Sequence, residues 1–350
     1  MAIHERVRIG LIGAGGICRT RHLPGLKKIE GVEVTVVANR SEASSREVAS
    51  QFGIGAIEKD WRRLLAREDV DAVFIGTWPY MHSEMSIAAL QAGKHVFCQA
   101  RMAMDLAQAK AMCMVAQAHR RLVNMVCPPP TRMPFEPYIR RVLAEGELGE
   151  LREVRAVCVN NADLGELTWR ERVEYSGKQI MLVGIVAETL NAWVGEYETV
   201  TAQMATPIGS KVDAAGQAYT VRIPQIVNVA GKLRGEVVAS EHHSGISPHE
   251  QEGHVSLYGS QGTLRVELGQ TIAMAKVGEA MKAVEVPAEL RNPWMVEQEF
   301  IDAVRAARRG EGRPRGQTSP DFAEALGYMK KVEAIHLSAQ RGCAVKLDEL

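Results

Sequence analysis

The chain has 350 residues, 46% hydrophobic and 24% charged, which is ordinary for a globular protein and enough for two domains of about 100–200 residues each. Lysines plus arginines equal aspartates plus glutamates at 42 each. That balance lacks the basic footprint of a nucleic-acid binder and fits a neutral or modestly charged small molecule as ligand.

Met1 to Gly10 enters a strand-like run without the apolar stretch and cleavage site of a secretory signal, and no run of about 18 apolar residues follows. A cytoplasmic protein with no membrane span is expected. Val7 to Ile12 is β-rich and closes on Gly13-Ala14-Gly15-Gly16-Ile17-Cys18, before a helical segment that reaches Leu23-Pro24. Val32 to Ala38 leads to Asn39-Arg40, and Ser41 can N-cap a helix that Gly53 ends. Asp60 can cap a short helix containing Trp61, Leu64 and Leu65. Val70 to Thr77 reads as a buried strand, Ser83 to Leu90 as a helix stopped near Gly93, and His95 to Cys98 as another strand. Asp105 to Ala118 is again helical and Leu122 to Val126 extended. This alternation predicts an α/β fold: a doubly wound parallel sheet with helices on both faces.

Three prolines in series at Pro128-Pro129-Pro130 cannot continue a helix or a central strand, so the domain junction is placed there, with domains 1–126 and 127–350. Pro137 to Glu145 then reads as a helix. Strand-like runs follow at Leu151 to Val159, Glu198 to Met204, Tyr219 to Ile223, Ile226 to Val229, Gly235 to Ser240, His254 to Tyr258 and Gly262 to Val266. With one helix among them, Gln179 to Val194, they predict an α+β domain with a large, mostly antiparallel sheet. Helices at Trp294 to Ala307 and Pro320 to Leu337 are separated by the polar segment Arg308 to Ser319, and are free to pack back on the first domain.

The glycine turn is an imperfect G-x-G-x-x-G, with Cys18 at the third glycine. Its position after the first strand and before a helix is what a dinucleotide fold requires. Gly13 would make the tight turn, while Gly15, Gly16 and Ile17 would bring backbone amides to a pyrophosphate. A glycine turn that binds nothing is the alternative. Asn39 stands where an acidic residue would hold the ribose hydroxyls, and Arg40 follows, which favours NADP over NAD.

Val7 to Ile17, His22-Leu23-Pro24, Thr77 to Glu84, Ala89 to Cys98, Gly146 to Gly149, Tyr258 to Leu264 and Phe300 to Val304 together resemble the glucose-fructose oxidoreductase, inositol dehydrogenase and MocA (Gfo/Idh/MocA) family. The resemblance covers nearly the whole chain. It implies an N-terminal Rossmann domain, a C-terminal domain whose open sheet mediates homodimers or homotetramers, and NAD(P)-dependent chemistry on sugars, polyols and related compounds. It also implies that Thr77, His82 and Gln99 lie near the cofactor, with a purely structural role for His82 as the alternative.

Three positions depart from the family. Its Glu-Lys-Pro is here Gln99-Ala100-Arg101, and its D-x-G-x-H, anchored on Gly184, has Leu182 and Val186 at the aspartate and histidine positions. The usual proton-handling side chains are absent, and hydride transfer at an oxygen-bearing carbon still needs a relay. Tyr175, Glu188 and His243 are the expected substitutes, with a solvated or capping role for Glu188 as the alternative. Glu241 to Glu250, the densest imidazole run, is expected as a loop at the rim of a sheet, with His242 on substrate. No metal is expected, since adjacent histidines on a strand would face opposite ways. Trp169, Arg170 and Arg172 resemble a substrate-side segment, with surface ion pairs as the alternative. The six cysteines lack C-x-x-C spacing and read as reduced, and Cys98 as buried packing. Two functions stay open: an NAD(P)-dependent oxidoreductase on a sugar, sugar acid, polyol or glycoside with a non-standard relay, including transient oxidation and elimination, or a redox-silent NAD(P)- and ligand-binding sensor.

Overall fold

A computed structural model describes residues 6–249, 251–268, 270–311 and 319–350. Glu250 of the histidine-rich run and residues 312–318 of the polar segment lie outside them. The chain forms two compact units, Met1–Pro128 with Met295–Leu326 and Pro129–Trp294 with Gly327–Leu350.

The first unit runs β1 Val7–Ile12, a π-helical turn Cys18–His22, α1 Leu23–Lys27, β2 Val32–Ala38, α2 Glu42–Phe52, β3 Ala56–Ile57, α3 Trp61–Leu65, β4 Ala72–Ile75, α4 Pro79–Gln91, β5 His95–Cys98, α5 Leu106–Ala118 and β6 Asn124–Val126. All six strands are parallel in the order β3-β2-β1-β4-β5-β6, the doubly wound arrangement read from the sequence. Ser41 accepts a hydrogen bond from the Ser44 amide and Gly53 ends α2 at φ 72°, so both caps are as expected. Asp60 likewise caps α3, and Asp105, read from the sequence as part of the helix, is the N-cap of α5.

The second unit begins with α6 Glu136–Ala144, β7 Leu151–Val159, α7 Val173–Ser176, α8 Met181–Val194 and β8 Tyr197–Ala205. It continues through β9 Ser210–Val212, β10 Ala218–Thr220, β11 Ile226–Leu233, β12 Val238–Ser244, β13 Glu252–Gly259, β14 Gly262–Glu267, β15 Thr271–Lys276 and β16 Lys282–Ala283. After α9 Val296–Arg308, which belongs to the first unit, come α10 Phe322–Arg341 and β17 Val345–Lys346. Nine strands form one sheet, β16-β15-β14-β13-β7-β12-β11-β8-β17, antiparallel except for the parallel pair β7 and β12. One face buries Val154, Val227, Val229, Ala239, Val255 and Leu257 against Val183, Val186 and Leu190 of α8 and Val332 and Ile335 of α10. On the other face Arg155, Thr201, Gln203, Asn228 and His242 are exposed.

Two sequence expectations are corrected. The Tyr219 to Ile223 run contributes only β10, which pairs with β9 in a separate ribbon. The run Gly235 to Ser240 is displaced: Gly235 lies at φ 77° in the turn after β11, and the strand it was taken to open is Val238–Ser244, hydrogen-bonded on both sides. Glu241 to Ser244 is therefore central strand, because its backbone completes two ladders, and not a rim loop.

Candidate active site

In the first unit the glycine turn is built as a close approach of β1 to β4. Gly13 has φ +80°, and a Cβ there would meet Thr77 Cγ2 at 2.6 Å and the Thr77 amide nitrogen at 2.8 Å. Cys18 fills the third glycine position by placing its thiol against Gly76, whose missing Cβ would collide with it, and burial pushes that thiol up to about 12. Gly15 and Gly16 are exposed, and among the described residues no heavy atom apart from its own neighbouring backbone lies within 4 Å of a Cβ built at Gly16. This is a cradle that a side chain would fill, and it fits a pyrophosphate held by backbone amides. Ile17 beside it is exposed.

Asn39 braces the turn from β2. Its Oδ1 accepts from the Ala14 amide at 2.7 Å and its Nδ2 donates to Ser44 Oγ at 3.0 Å. Arg40 is exposed and has no ion-pair partner among the described residues. His82 is fully buried, its Nε2 2.9 Å from the Thr77 carbonyl and its Nδ1 2.7 Å from the Arg101 carbonyl. Burial lowers its pKa below the ordinary imidazole value despite those two acceptors. The ring ties the end of β4 to the altered triplet after β5. Cys98 is fully buried and its thiol pushed up to about 12 by desolvation, as packing would have it.

Gln99 follows β5 and is nearly buried. Its carboxamide Nε2 contacts His22 Nε2, and His22 Nδ1 is 2.5 Å from Glu297 Oε1 on α9. Phe97 and Phe74 stack at 4.4 Å between centroids and meet the His22 ring edge-on. Neither His22 nor Glu297 was singled out by the sequence as a polar group in this position. The available signal was Glu297 itself, which stands on the apolar stripe Val296, Phe300, Ile301 and Val304.

In the second unit the expected relay residues are dispersed. Tyr175 sits half-buried on α7. Glu188 is buried, with Oε1 3.5 Å from Arg132, which also grips Glu136 at 2.7 Å. It is an internal ion pair, which corrects the solvated or capping alternative: a carboxylate this deep requires a cationic neighbour. His243 is buried on the core face of β12, its Nε2 3.0 Å from Glu241 Oε2 and its Nδ1 without a hydrogen-bond partner among the described residues. His242 faces the opposite, open side and contacts Asn228 Oδ1 at 2.7 Å. Glu241 also holds Lys331 of α10 and the Tyr197 hydroxyl, a cluster the sequence did not reveal.

Trp169 is half-buried, with the exposed Arg170 stacked over its ring at 4.6 Å. Arg172 pairs with Asp213 at 3.1 Å and Glu174 at 3.3 Å, so its guanidinium is already neutralised. Asp163, unremarked in the sequence, is half-buried beside Gly245, and its carboxyl is pushed up to about 6 by burial and by Glu171. Among the described residues no three His, Cys, Asp or Glu side chains could hold a metal ion, and no helix is long and apolar enough to cross a membrane.

Residues 7–126 match the family model described as oxidoreductase family, NAD-binding Rossmann fold, and residues 138–265 match the GFO/IDH/MocA C-terminal domain. The 4-carboxy-2-hydroxymuconate-6-semialdehyde dehydrogenase of Sphingobium sp. is 39% identical over 142 residues, 41% of this chain and 44% of that protein. The dTDP-3,4-didehydro-2,6-dideoxy-alpha-D-glucose 3-reductase of Streptomyces violaceoruber is 25% identical over 359 residues, 95% of each chain. A levoglucosan dehydrogenase in complex with NADH and L-sorbose shares the fold, with a TM-score of 0.85 over 98% of this chain and 99% of that one at 20% identity. The first of the curated relatives are matched over about half of their length. With both family domains matched in order and both sheets in place, the chain belongs to the Gfo/Idh/MocA family of oxidoreductases.

Proposed function

We propose that this protein is an NAD(P)-dependent oxidoreductase acting on a sugar, sugar acid, polyol or glycoside, with a proton relay other than the family's lysine. The observation that carries it is the glycine cradle. Gly13 is packed on Thr77 and Gly16 is left open, an arrangement with a cost in chain entropy that a backbone-bound pyrophosphate accounts for. The bound nucleotide would supply the hydride acceptor or donor, and NADP is favoured by the exposed Arg40 beside the Asn39 brace. Substrate class follows the names of the relatives, which include a levoglucosan dehydrogenase and a deoxysugar reductase.

Ala100 offers a methyl group where a hydroxyl proton has to be handled. Of the three substitutes, Tyr175 has the strongest support, because Glu188 and His243 are committed to buried partners while Tyr175 keeps solvent contact. Trp169 and Arg170 are the proposed substrate contacts, and Arg172, already paired, is a support for that segment. The same relay also serves transient oxidation, in which the hydride passes to the nucleotide and the hydroxyl proton to the relay, the carbonyl so formed acidifies the adjacent C–H, a leaving group is eliminated, and return of the hydride leaves no net reduced cofactor. A homodimer or homotetramer formed through the open sheet face is proposed on the family resemblance.

A redox-silent ligand sensor is the second reading, favoured by the apolar side chains at Ala100, Leu182 and Val186. One experiment separates them: identify any nucleotide purified with the protein, then scan sugars, sugar acids and glycosides while following reduced cofactor and product together. Product without net cofactor change supports elimination. Ligands that raise the melting temperature yet yield no product would end the enzyme reading.

A further inference from the structure

Glu297 is a carboxylate placed on the buried stripe of a helix, where a residue of that charge is costly unless something answers it. The answer is a line of three side chains. Glu297 Oε1 is 2.5 Å from His22 Nδ1, and the opposite ring nitrogen, Nε2, contacts the Gln99 carboxamide nitrogen. All three are at least nine-tenths buried. His22 ends the π-helical turn that follows the glycine cradle, and Phe97 and Phe74 pack edge-on against its ring, which fixes the ring plane. Gly25 leaves the space that Glu297 occupies, since a Cβ there would lie 3.0 Å from the carboxyl carbon.

We propose that Glu297 and His22 are positioning residues that set which end of the Gln99 carboxamide is presented to a ligand. A carboxylate can only accept, so His22 carries its proton on Nδ1 and leaves Nε2 as a bare acceptor. That acceptor takes an N–H of Gln99, and the carboxamide oxygen becomes the free, outward-facing atom. Gln99 lies just beyond the carboxyl end of β5, the place where open α/β sheets receive ligands, in the β4-β5-β6 half of the sheet. The ligand group it selects is a hydrogen-bond donor on the nicotinamide riboside half of the nucleotide. This inference rests on the nucleotide reading above.

Two probes of the full-length protein test it. The first is nitrogen chemical shifts of selectively labelled histidine, assigned with a His22→Gln variant, which need no ligand: wild type should show His22 as the Nδ1–H tautomer. Glu297→Gln supplies an amide that can donate to Nδ1, so it should shift His22 toward Nε2–H and turn the Gln99 carboxamide around. The second is equilibrium binding of NADH compared with ADP-ribose, which lacks the nicotinamide. Glu297→Gln should weaken NADH by about tenfold, the scale of one hydrogen bond, and leave ADP-ribose within about twofold. Gln99→Leu should give the same pattern, which keeps the test open if Glu297→Gln does not fold. A wild-type Nε2–H tautomer, or equal weakening of both ligands by both variants, would overturn the proposal. Failure of wild type to bind NADH, NADPH or ADP-ribose, with the Nδ1–H tautomer present, would instead bring down the nucleotide reading and the ligand role of Gln99 with it.

Discussion

Lys331 Nζ lies 2.5 Å from Glu241 Oε1, with both side chains closed to solvent. The Tyr197 ring sits 3.9 Å beneath the ammonium, the Tyr197 hydroxyl donates to the same carboxylate, and His243 meets its other oxygen at 3.0 Å. Burial alone would raise the Glu241 pKa, but Lys331 and His243 outweigh it and hold the carboxyl well below the ordinary range. Lys331→Met removes the main cation and leaves a buried charge, so the variant should lose about 3–5 kcal/mol in urea unfolding. Glu241 is a depressed acid, so its share of stability is present above the ordinary value of 4.5 and is lost as pH falls through the folded value. The gap between wild type and Lys331→Met should therefore narrow in acid. A variant as stable as wild type at neutral pH would show that the pair is not integral to the core.

Asp163 has the opposite sign. Its carboxyl is pushed up from 3.8 to about 6, first by burial and then by Glu171, against the pull of Lys211. Below 3.8 the folded and unfolded chains both hold the proton and no penalty exists. As pH rises toward 6 the unfolded chain ionises first, so the fold is penalised progressively, and above about 6 the penalty is constant. Asp163→Asn should melt higher than wild type by an amount that grows over that interval and then levels. Melting curves at successive pH values check it, and a difference that is flat with pH would remove Asp163 as the titrating group.

Gly76 is the floor on which the nucleotide turn rests. A Cβ there would collide with both Cys18 Sγ and the Gly13 carbonyl oxygen, neither of which belongs to a flexible side-chain end. Gly76→Ala should cost about 1–3 kcal/mol through overpacking and should weaken binding of ADP-ribose as well as NADH, because the turn itself is displaced. Cys18→Ala in the same background should recover part of the loss by removing the sulfur. Unchanged affinity for both nucleotides in Gly76→Ala would separate the turn from nucleotide binding.

What could be read from the sequence was local. The glycine turn, the Ser41 and Asp60 caps and the Gly53 stop each depend on a few consecutive residues, and the structure has them all. The polar clusters join distant residues: Glu241 meets Lys331 across 90 positions and His22 meets Glu297 across 275. Lys331 looks like a solvated helix residue until its partner is known, and the place of Glu297 on an apolar stripe signals burial without naming the partner. His243 was misplaced for a different reason. Ending β12 at Ser240 turned the following residues into a loop, whereas continuation of the strand to Ser244 sends His242 to the open face and His243 to the core by strict alternation. Glu188 could not be resolved because Arg132, which neutralises it, comes from the proline-broken segment before α6.

The proposed preference for NADP rests on Arg40. The carboxylate that would hold both ribose hydroxyls in an NAD site is replaced by Asn39, and that carboxamide is spent on the Ala14 amide and on Ser44. No acid at this position repels a 2′-phosphate, and the exposed guanidinium next to it has no carboxylate of its own among the described residues. Arg40→Ala should therefore raise the dissociation constant for NADPH by about tenfold or more, the value of one charge-assisted contact, and leave NADH within about twofold. The NADPH loss should shrink with added salt, since a partly exposed ion pair is screened. Titration of both nucleotides by fluorescence at two ionic strengths measures all of this. Equal losses for NADH and NADPH would place Arg40 in the general support of the turn and remove the reason for preferring NADP.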